Sequence, residues 1–155
     1  MSDEILENQV ETQIDMFITF TIDKEDFAIP ICYINDIQSN LAITQVPSVP
    51  NYVKGISNIR GTIIPVIDVR TRFRKNEIEY DDRTCIVVID YDGFTIGLVV
   101  DAVKAVLNIP QENVFPPPSY KMGYFNKYIK NIGRVGENVK LILDLERLIN
   151  DDYEV

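Results

Sequence analysis

Histidine and tryptophan are absent from the 155-residue sequence, and cysteine occurs only twice. Without histidine the chain has no His-based general acid or base, no Ser-His-Asp or Cys-His nucleophile and no histidine-containing zinc site. Cys32 and Cys85 are too few to make a metal site, and each stands in an apolar segment, which predicts buried free thiols in a reducing compartment. We therefore expect neither a metal nor a cofactor.

Two further kinds of motif are missing. Neither G-x-x-x-x-G-K-[ST] nor G-x-G-x-x-G occurs, so neither phosphate-cradling loop is expected. No apolar run approaches the about 20 residues that span a membrane, and the acidic start lacks the apolar stretch of a secretory signal. These absences predict a soluble cytoplasmic protein.

The composition that remains is that of a globular domain with excess negative charge. Hydrophobic residues make up 46% of the chain, charged residues 25%, and the net charge is −9. This charge argues against general binding of nucleic acid, because phosphates would be repelled. Residues 1–15 hold five acidic side chains and no basic one, which predicts a disordered tail. We expect one domain over residues 16–150 and a short tail over 151–155.

The segment 60–75 has the opposite charge. Its basic residues are Arg60, Arg70, Arg72, Arg74 and Lys75. A small β-barrel that binds nucleic acid through this segment is one alternative, although Phe73 is its only interleaved aromatic residue. A solvated loop is the simpler interpretation.

A carboxylate-dependent enzyme is a second alternative. Its candidate residues are Asp68, Asp90, Asp101 and Asp144. Asp68 and Asp144 each end an apolar run and precede a short helix-like stretch, the position of a helix N-cap. The candidates sit at strand ends in separate halves of the chain, so we expect no enzyme.

Short strand patterns dominate the chain. Runs rich in β-branched and aromatic residues stand at 16–22, 27–31, 62–67, 85–90, 94–100 and 138–143. Residues 23–26 and 91–94 are typical of hairpin turns. The segment 120–135 is the least regular, and we interpret it as an exposed loop.

The chain also resembles itself. "VIDVRTRF" (66–73) matches "ILDLERLI" (142–149), and "IPICYINDI" (29–37) matches "LVVDAVKAV" (98–106). Matches in the same order predict two related β-barrels of about five strands each, which share an interface because each is too small to fold alone.

The segment "YVKGISNIRGTIIPVIDVRTRF" (52–73) closely resembles the signature of the CheW family of bacterial chemotaxis. The resemblance extends over roughly residues 16–150 through "CIVVIDYDGFTIGLVVDAVKAVLNIP" (85–110), "PPP" (116–118) and "LILDLERLI" (141–149). It departs from the family after Ile37, where an Arg-Gly pair is common, and at Arg74, where glycine is common. An R-G-x-x-x-P-x-x-D core makes the resemblance specific.

The resemblance implies an all-β, CheW-like fold of two five-stranded, SH3-like barrels. It also implies a non-enzymatic adaptor that joins the cytoplasmic tips of chemoreceptors to the regulatory domain of a CheA-type histidine kinase. Such a protein would be cytoplasmic and would reach the membrane only through receptor arrays. A coupler of a related, pilus-type signalling system stays open as the alternative.

The resemblance also assigns site residues. Arg60 is expected to form an ion pair with Asp36 and to face the receptor. The family usually has glutamate at the position of Asp36. The positions carried over for receptor binding are Ile34, Asp36, Ile37, Arg60, Cys85, Ile86 and Val106. For the kinase surface we choose residues of the proline-containing loop and its flanks, with an aromatic anchor. These are Ile31, Val46, Tyr52, Val53 and Gly55. Gly55 is expected to meet a close approach or a positive φ.

Overall fold

A computed structural model describes residues 15–39, 41–118 and 127–150. The predicted tails lie outside these ranges, apart from Asp15. The strands are β1 (Met16–Ile22), β2 (Glu25–Pro30), β3 (Ile34–Gln38), β4 (Val53–Ile59), β5 (Thr62–Asp68), β6 (Cys85–Tyr91), β7 (Phe94–Val100), β8 (Ala102–Asn108), β9 (Val114–Phe115), β10 (Ile129–Val135) and β11 (Asn138–Leu143). The α-helices are α1 (Val69–Arg72) and α2 (Leu145–Asn150), and 3₁₀ turns cover Ile31–Tyr33 and Gln111–Asn113. The all-β class is confirmed.

The strands form two sheets. One has six strands in the order β8-β1-β2-β11-β10-β9, and the other has five in the order β3-β6-β7-β5-β4. The predicted turns are confirmed: Asp23 and Lys24 join β1 to β2, and Asp92 and Gly93 join β6 to β7, all with positive φ. This pattern is that of a tight hairpin turn whose twist matches the strands.

The internal repeat is visible in the pairing of the strands. Ile142 pairs with Ala28 in the parallel β11–β2 contact, and Val66 pairs with Gly97 in the parallel β5–β7 contact. These two pairs occupy matching positions in the two halves of the sequence. The repeat therefore extends to the register of individual residues.

The distribution of strands differs from the prediction of one barrel per half. The β1–β2 hairpin of the first half joins β8–β11 of the second half, and the β6–β7 hairpin joins β3–β5 of the first. The halves have exchanged hairpins, so each sheet is built from both. Local sequence patterns carry no information on this exchange, because it depends on pairings between distant strands.

One apolar core lies between the sheets and is shared by both halves. Phe27 of β2 packs on Phe73, which follows α1, with ring centroids 5.4 Å apart. Phe73 stacks in turn on Tyr128, just before β10, at 5.5 Å. All three side chains are at most 2% exposed. Aromatic burial of this kind is among the larger stabilising contributions to a core.

Arg72 lies inside this core and is fully buried. Its guanidinium carbon is 3.9 Å from the centroid of the Tyr52 ring and 5.3 Å from that of Tyr128. Its Nε donates to the carbonyl oxygen of Leu148 in α2 at 3.0 Å. Since Tyr52 and Tyr128 hold matching positions in the repeat, Arg72 ties the two halves together at their junction.

Three predictions are wrong. The basic segment 60–75 is not a solvated loop: it contains β5 and α1, and Arg70 and Arg72 are buried. In the segment 120–135, residues 129–135 form β10 rather than a loop, while 120–126 lie outside the described residues. Cys32 is exposed in a 3₁₀ turn and Cys85 is half-buried, so the two free thiols are not both buried.

The end of α1 predicts a stabilising substitution. Arg74 has a φ of 60°, its N–H donates to Thr71 O, and the N–H of Lys75 donates to Arg70 O. These two hydrogen bonds form a Schellman motif, in which the left-handed residue is usually glycine. Arg74→Gly should raise the free energy of unfolding by about 1 kcal/mol and Tm by about 2–4 °C. Arg74→Ala is the control, because it removes the same side chain but keeps a Cβ; equal stability of the two variants would contradict the prediction.

The carboxylate of Asp26 predicts a pH dependence. It contacts Lys140 at 2.6 Å and Lys104 at 3.1 Å, and the Lys140 side chain is only 11% exposed. The hydrogen bond from Lys140 is the chief cause that holds the pKa of Asp26 below its ordinary value of 3.8. A lowered pKa stabilises the fold above about pH 3.8, and this stabilisation is lost as the pH falls through the folded-state pKa.

Asp26→Asn should therefore cost about 2–4 kcal/mol at pH 7, since it leaves the Lys140 ammonium largely buried without its counter-charge. Urea titrations at pH 7, 5 and 3 would measure the difference from the parent protein. The difference should shrink at pH 3, because below the ordinary pKa of 3.8 protonation of Asp26 in the unfolded parent protein favours unfolding. A difference that stays constant down to pH 2 would contradict the assignment.

Candidate partner-binding surfaces

Arg60 is presented by the tight turn of the β4–β5 hairpin. Ile59 and Thr62 are paired, so the turn consists of Arg60 and Gly61, with φ values of 52° and 85°. Two residues with positive φ are typical of a type I′ turn. The Arg60 side chain is 78% exposed, so most of the guanidinium is available to a partner.

The predicted ion pair between Arg60 and Asp36 is present, with Nε 3.1 Å from Oδ2. Asp36 is held by two further donors: Gln38 Nε2 donates at 2.6 Å and the backbone N–H of Ile37 at 2.8 Å. The hydrogen bond from the Gln38 amide is the largest of the effects that hold the pKa of Asp36 below its ordinary value. The backbone N–H of Ile37 and the charge of Arg60 lower this pKa further, while desolvation opposes them. Asp36 is therefore an anchored carboxylate and Arg60 its exposed partner, and an ion pair with so exposed an arginine contributes only about 0–1 kcal/mol to stability.

The role of Gln38 was missed by sequence reasoning. It stands where the family often has an Arg-Gly pair, and this departure drew attention away from its amide. The available signal was its position two residues after Asp36, because residues i and i+2 of a strand point to the same face. Gln38 holds Asp36 in place, whereas the sequence predicted Arg60 as the only partner of Asp36.

The same ion pair shows how the five-stranded sheet is shaped. In the strand order, β3 and β4 are opposite edges of this sheet. Asp36 lies on β3 and Arg60 directly follows β4, yet their side chains are in contact. The sheet must therefore curl until its two edges approach each other, as in a barrel.

The remaining positions assigned to receptor binding lie in different surroundings. Ile37 on β3 is 38% exposed and Val106 on β8 is 48% exposed. They match each other in the repeat, because Ile37 pairs with Val87 and Val106 with Ile18. Ile34 and Cys85 are half-buried, whereas Ile86 is fully buried against Gly97.

The structure thus brings Ile34, Asp36, Ile37 and Arg60 together around the β3 edge, with Cys85 on the neighbouring strand β6. It places Ile86 in the core, and it places Val106 on the other sheet. Ile37 and Arg60 are the exposed members of the β3 group. We call Asp36, Ile37 and Arg60 the Arg60 surface.

The kinase-side residues also divide by burial. Ile31, Val46 and Val53 are half-buried, and Gly55 is buried. Tyr52, chosen as an exposed aromatic anchor, is only 8% exposed because its ring covers Arg72. The exposed apolar side chains of the β4–β5 hairpin and the loop before it are Ile63 on β5, 65% exposed, and Val49, 39% exposed. We call Val46, Val49, Val53 and Ile63 the hairpin surface.

The sequence pattern failed at Tyr52 for an identifiable reason. The Pro-rich segment before it predicts a loop, and loops usually lie at the surface. Tyr52 O accepts a hydrogen bond from Asp68 N at 2.8 Å, so the end of the loop is drawn inward towards α1. No local signal distinguishes this from an exposed loop.

The four aspartates do not form a shared site. Asp68 caps α1 by accepting from the N–H groups of Arg70 and Thr71, and Asp144 accepts from the N–H of Arg147, which confirms both N-cap predictions. Asp90 accepts from Asn35 and Thr95, and Asp101 contacts Arg70 at 3.5 Å. Among the residues described, no group of three or more metal-ligating side chains stands together.

No helix among the described residues could cross a membrane. Neither α1 nor α2 has the length or the apolar character that such a helix requires.

Comparison with known proteins places the chain in a family. The CheW-like domain matches residues 16–153. Chemotaxis protein CheW of Klebsiella aerogenes is 30% identical over 142 residues, which cover 92% of this chain and 86% of that protein. Chemotaxis protein CheW of Helicobacter pylori is 30% identical over 137 residues, covering 88% and 82%.

A solved structure is similar over nearly the whole fold. The scaffolding protein TtCheW from Thermoanaerobacter tengcongensis superposes with a TM-score of 0.82 at 27% identity, covering 88% of this chain and 92% of that one. The family match, the curated relatives and the shared fold agree with one another. The chain therefore belongs to the CheW-like domain family and is a coupling adaptor of bacterial chemotaxis.

Proposed function

We propose that the protein couples the cytoplasmic tip of a chemoreceptor to the regulatory domain of a CheA-type histidine kinase, without catalysing a reaction itself. The observation that carries this proposal is the match to chemotaxis CheW proteins over nine-tenths of the chain. Adaptors need exposed surfaces on a rigid scaffold, and the Arg60 surface and the hairpin surface supply two. The protein works in the cytoplasm and reaches the membrane only through the receptors that it binds.

The Arg60 surface suits a receptor helix. Such a helix would lay its apolar stripe on Ile37, and Arg60 would meet an acidic side chain beside that stripe. Because Asp36 is anchored by Gln38 and Ile37, the acid stays in place while the exposed guanidinium turns to the partner. Contacts of this rim type mainly set the orientation and the rate of association.

The hairpin surface suits the kinase. Ile63 and Val49 are exposed aliphatic side chains on or beside the β4–β5 hairpin, and burial of one such side chain contributes about 1.5–3 kcal/mol. Gly55 fixes the path of the loop that carries Val49. We assign the central contact to Ile63 rather than to Tyr52, because Tyr52 is already buried in the free protein.

Calorimetric titration of the protein with the regulatory domain of its own organism's kinase tests this assignment. Ile63→Ser should weaken binding about 10-fold or more. Val139→Ser is the matched control, because Val139 is 56% exposed on the β10–β11 hairpin, at the position that corresponds to Ile63 in the repeat. It should leave the affinity unchanged, and Arg60→Ala should leave it unchanged too while it reduces co-sedimentation with receptor-containing membranes.

The outcomes are distinct. A loss with Val139→Ser but not with Ile63→Ser would move the kinase surface to the second half. No heat of binding at about 100 μM of folded partners would reject this kinase as the partner. Flagellar chemotaxis and a pilus-type system both require a CheA-type kinase, so the titration tests what the two interpretations share.

A further inference from the structure

The second residues of α1 and α2 match in the repeat but carry opposite charges. In the first half this residue is Arg70, whose side chain is 10% exposed. Its guanidinium nitrogens lie 3.1 and 3.2 Å from Asp23 Oδ1 and 3.5 Å from Asp101 Oδ2. The guanidinium thus fills a site between α1, the β1–β2 turn and the connection from β7 to β8.

In the second half the residue is Glu146, which lines an open space. A cavity of about 310 Å³ lies against α2, the end of β6 and the 3₁₀ turn before β3, and residues of β1, β2, β9, β10 and β11 also line it. Asp144 and Glu146 line it from the helix, and Tyr33 and Tyr91 line it with their rings. We call it the Tyr33–Glu146 pocket.

Two aromatic rings and two carboxylates line this pocket: the rings are those of Tyr33 and Tyr91, and the carboxylates are those of Asp144 and Glu146. The rings of Tyr33 and Tyr91 meet edge to face, with centroids 5.3 Å apart and an angle of 61°. Desolvation, followed by the negative charge of Glu146, raises the pKa of the Tyr91 phenol, and Tyr33 and Asp144 add to the effect. The Tyr91 phenol and the carboxylates of Asp144 and Glu146 line the same cavity.

Two basic residues face the same region. Lys130 also lines the cavity, and Arg147 Nε lies 3.8 Å from Asp144 Oδ2 with a side chain that is 61% exposed. Arg147 partly neutralises Asp144, whereas Glu146 and Asp92 of the β6–β7 turn both act electrostatically on Tyr91. Asp92 holds the position that Asp23 holds beside Arg70 in the first half.

We propose that the Tyr33–Glu146 pocket binds an arginine side chain presented by a partner polypeptide. A guanidinium donates parallel hydrogen bonds to a carboxylate and stacks its plane on an aromatic ring, whereas a lysine ammonium does not combine the two. The first half holds the guanidinium of Arg70 beside the matching helix, against Asp23 and Asp101, and this arrangement supports a guanidinium site beside α2. The second half supplies the carboxylate and the rings but no arginine at the helix position. This inference goes beyond the adaptor function and does not depend on it.

Amide chemical-shift titration of the ¹⁵N-labelled full chain tests the proposal. The probe is N-acetyl-arginine methylamide, and the matched uncharged probe is the citrulline analogue. The arginine probe should give saturable shifts in α2 and around Tyr33, with a Kd on the order of 1–10 mM for a single side chain. The citrulline probe should bind at least 10-fold more weakly.

Variants locate the site. Glu146→Gln should weaken the arginine probe at least 5-fold, whereas Glu137→Gln in the exposed β10–β11 turn should not. Glu146→Arg should abolish binding, because the new guanidinium takes the place that Arg70 takes in the first half. The dispersion of the amide spectrum verifies the fold of each variant.

Three results would overturn the proposal. They are the absence of saturable shifts up to about 50 mM probe, equal binding of the citrulline probe, and binding that Glu146→Gln leaves intact. Free L-arginine is a separate arm of the titration. Tighter binding of free arginine than of the blocked probe would identify an amino acid rather than a polypeptide as the ligand.

Discussion

Arg72→Ala is expected to lower the free energy of unfolding by about 3–5 kcal/mol, because it opens a cavity in the shared core and removes a buried hydrogen bond. The side chain is fully buried, lies on the Tyr52 ring at 3.9 Å and donates to Leu148 O at 3.0 Å. Leu148 is among the last four residues of α2, where carbonyls lack partners within the helix. Loss of Arg72 therefore affects both halves at once.

Urea unfolding followed by circular dichroism measures the effect, and two further variants separate its causes. Arg72→Met keeps most of the volume and should cost about 1–2 kcal/mol. Arg72→Lys keeps the charge but loses the planar stack, and it should fall between Met and Ala. Arg83→Ala, at an exposed arginine, is the control and should stay within about 0.5 kcal/mol of the parent. An Arg72→Ala protein as stable as this control would show that Arg72 does not tie the halves together.

Gly55→Ala is expected to cost about 2–4 kcal/mol, the sum of backbone strain and a steric clash. Gly55 has a φ of 147°, and a Cβ at this position would lie 2.0 Å from Thr44 O. That oxygen accepts from Ile56 N, and Thr44 N donates to Ile56 O, so the pair fixes the loop on the outer side of β4. A methyl group must displace the backbone of Thr44 and break this pair.

Gly136→Ala separates the two parts of that cost. Gly136 also has a positive φ, of 62°, but nothing lies within 4 Å of its Cβ position, so it should lose only about 1 kcal/mol. Hydrogen exchange of the Thr44 and Ile56 amides should accelerate in Gly55→Ala and not in Gly136→Ala. An equal decrease in the free energy of unfolding of the two variants would contradict the prediction, because it would mean that the backbone of Thr44 moves aside without an energetic penalty. Kinase binding by Gly55→Ala is informative only at temperatures where the variant is folded.

Much of the fold could be predicted from local patterns. The bounds of β1, β7 and β11 were predicted to the residue, since each is a short β-branched run bounded by turn residues. The caps at Asp68 and Asp144 were predictable because an aspartate between an apolar strand and a short helix has few other roles. The contact of Asp36 with Arg60 followed from the family resemblance, not from any local pattern.

The rest depended on contacts that distant residues supply. β10 was missed because Lys130, Asn131 and Arg134 make its sequence polar, although Ile129 and Gly133 are buried. Arg70 and Arg72 looked solvated because nothing in a single sequence shows that aspartates and tyrosines from other elements surround them. The burial of Ile86 could not be predicted, because alternation identifies a strand but not which of its faces another sheet covers.

The exchange of hairpins between the halves governs how the chain can be made. Asp26 on β2 contacts Lys140 on β11, 114 positions later, so the first hairpin to leave the ribosome cannot complete its pairing until the last described strand is made. Such non-local pairing is typical of folding in milliseconds to seconds, after synthesis rather than during it. Until β11 emerges, β2 presents an open edge to other nascent chains, which makes early termination of translation a hazard for aggregation.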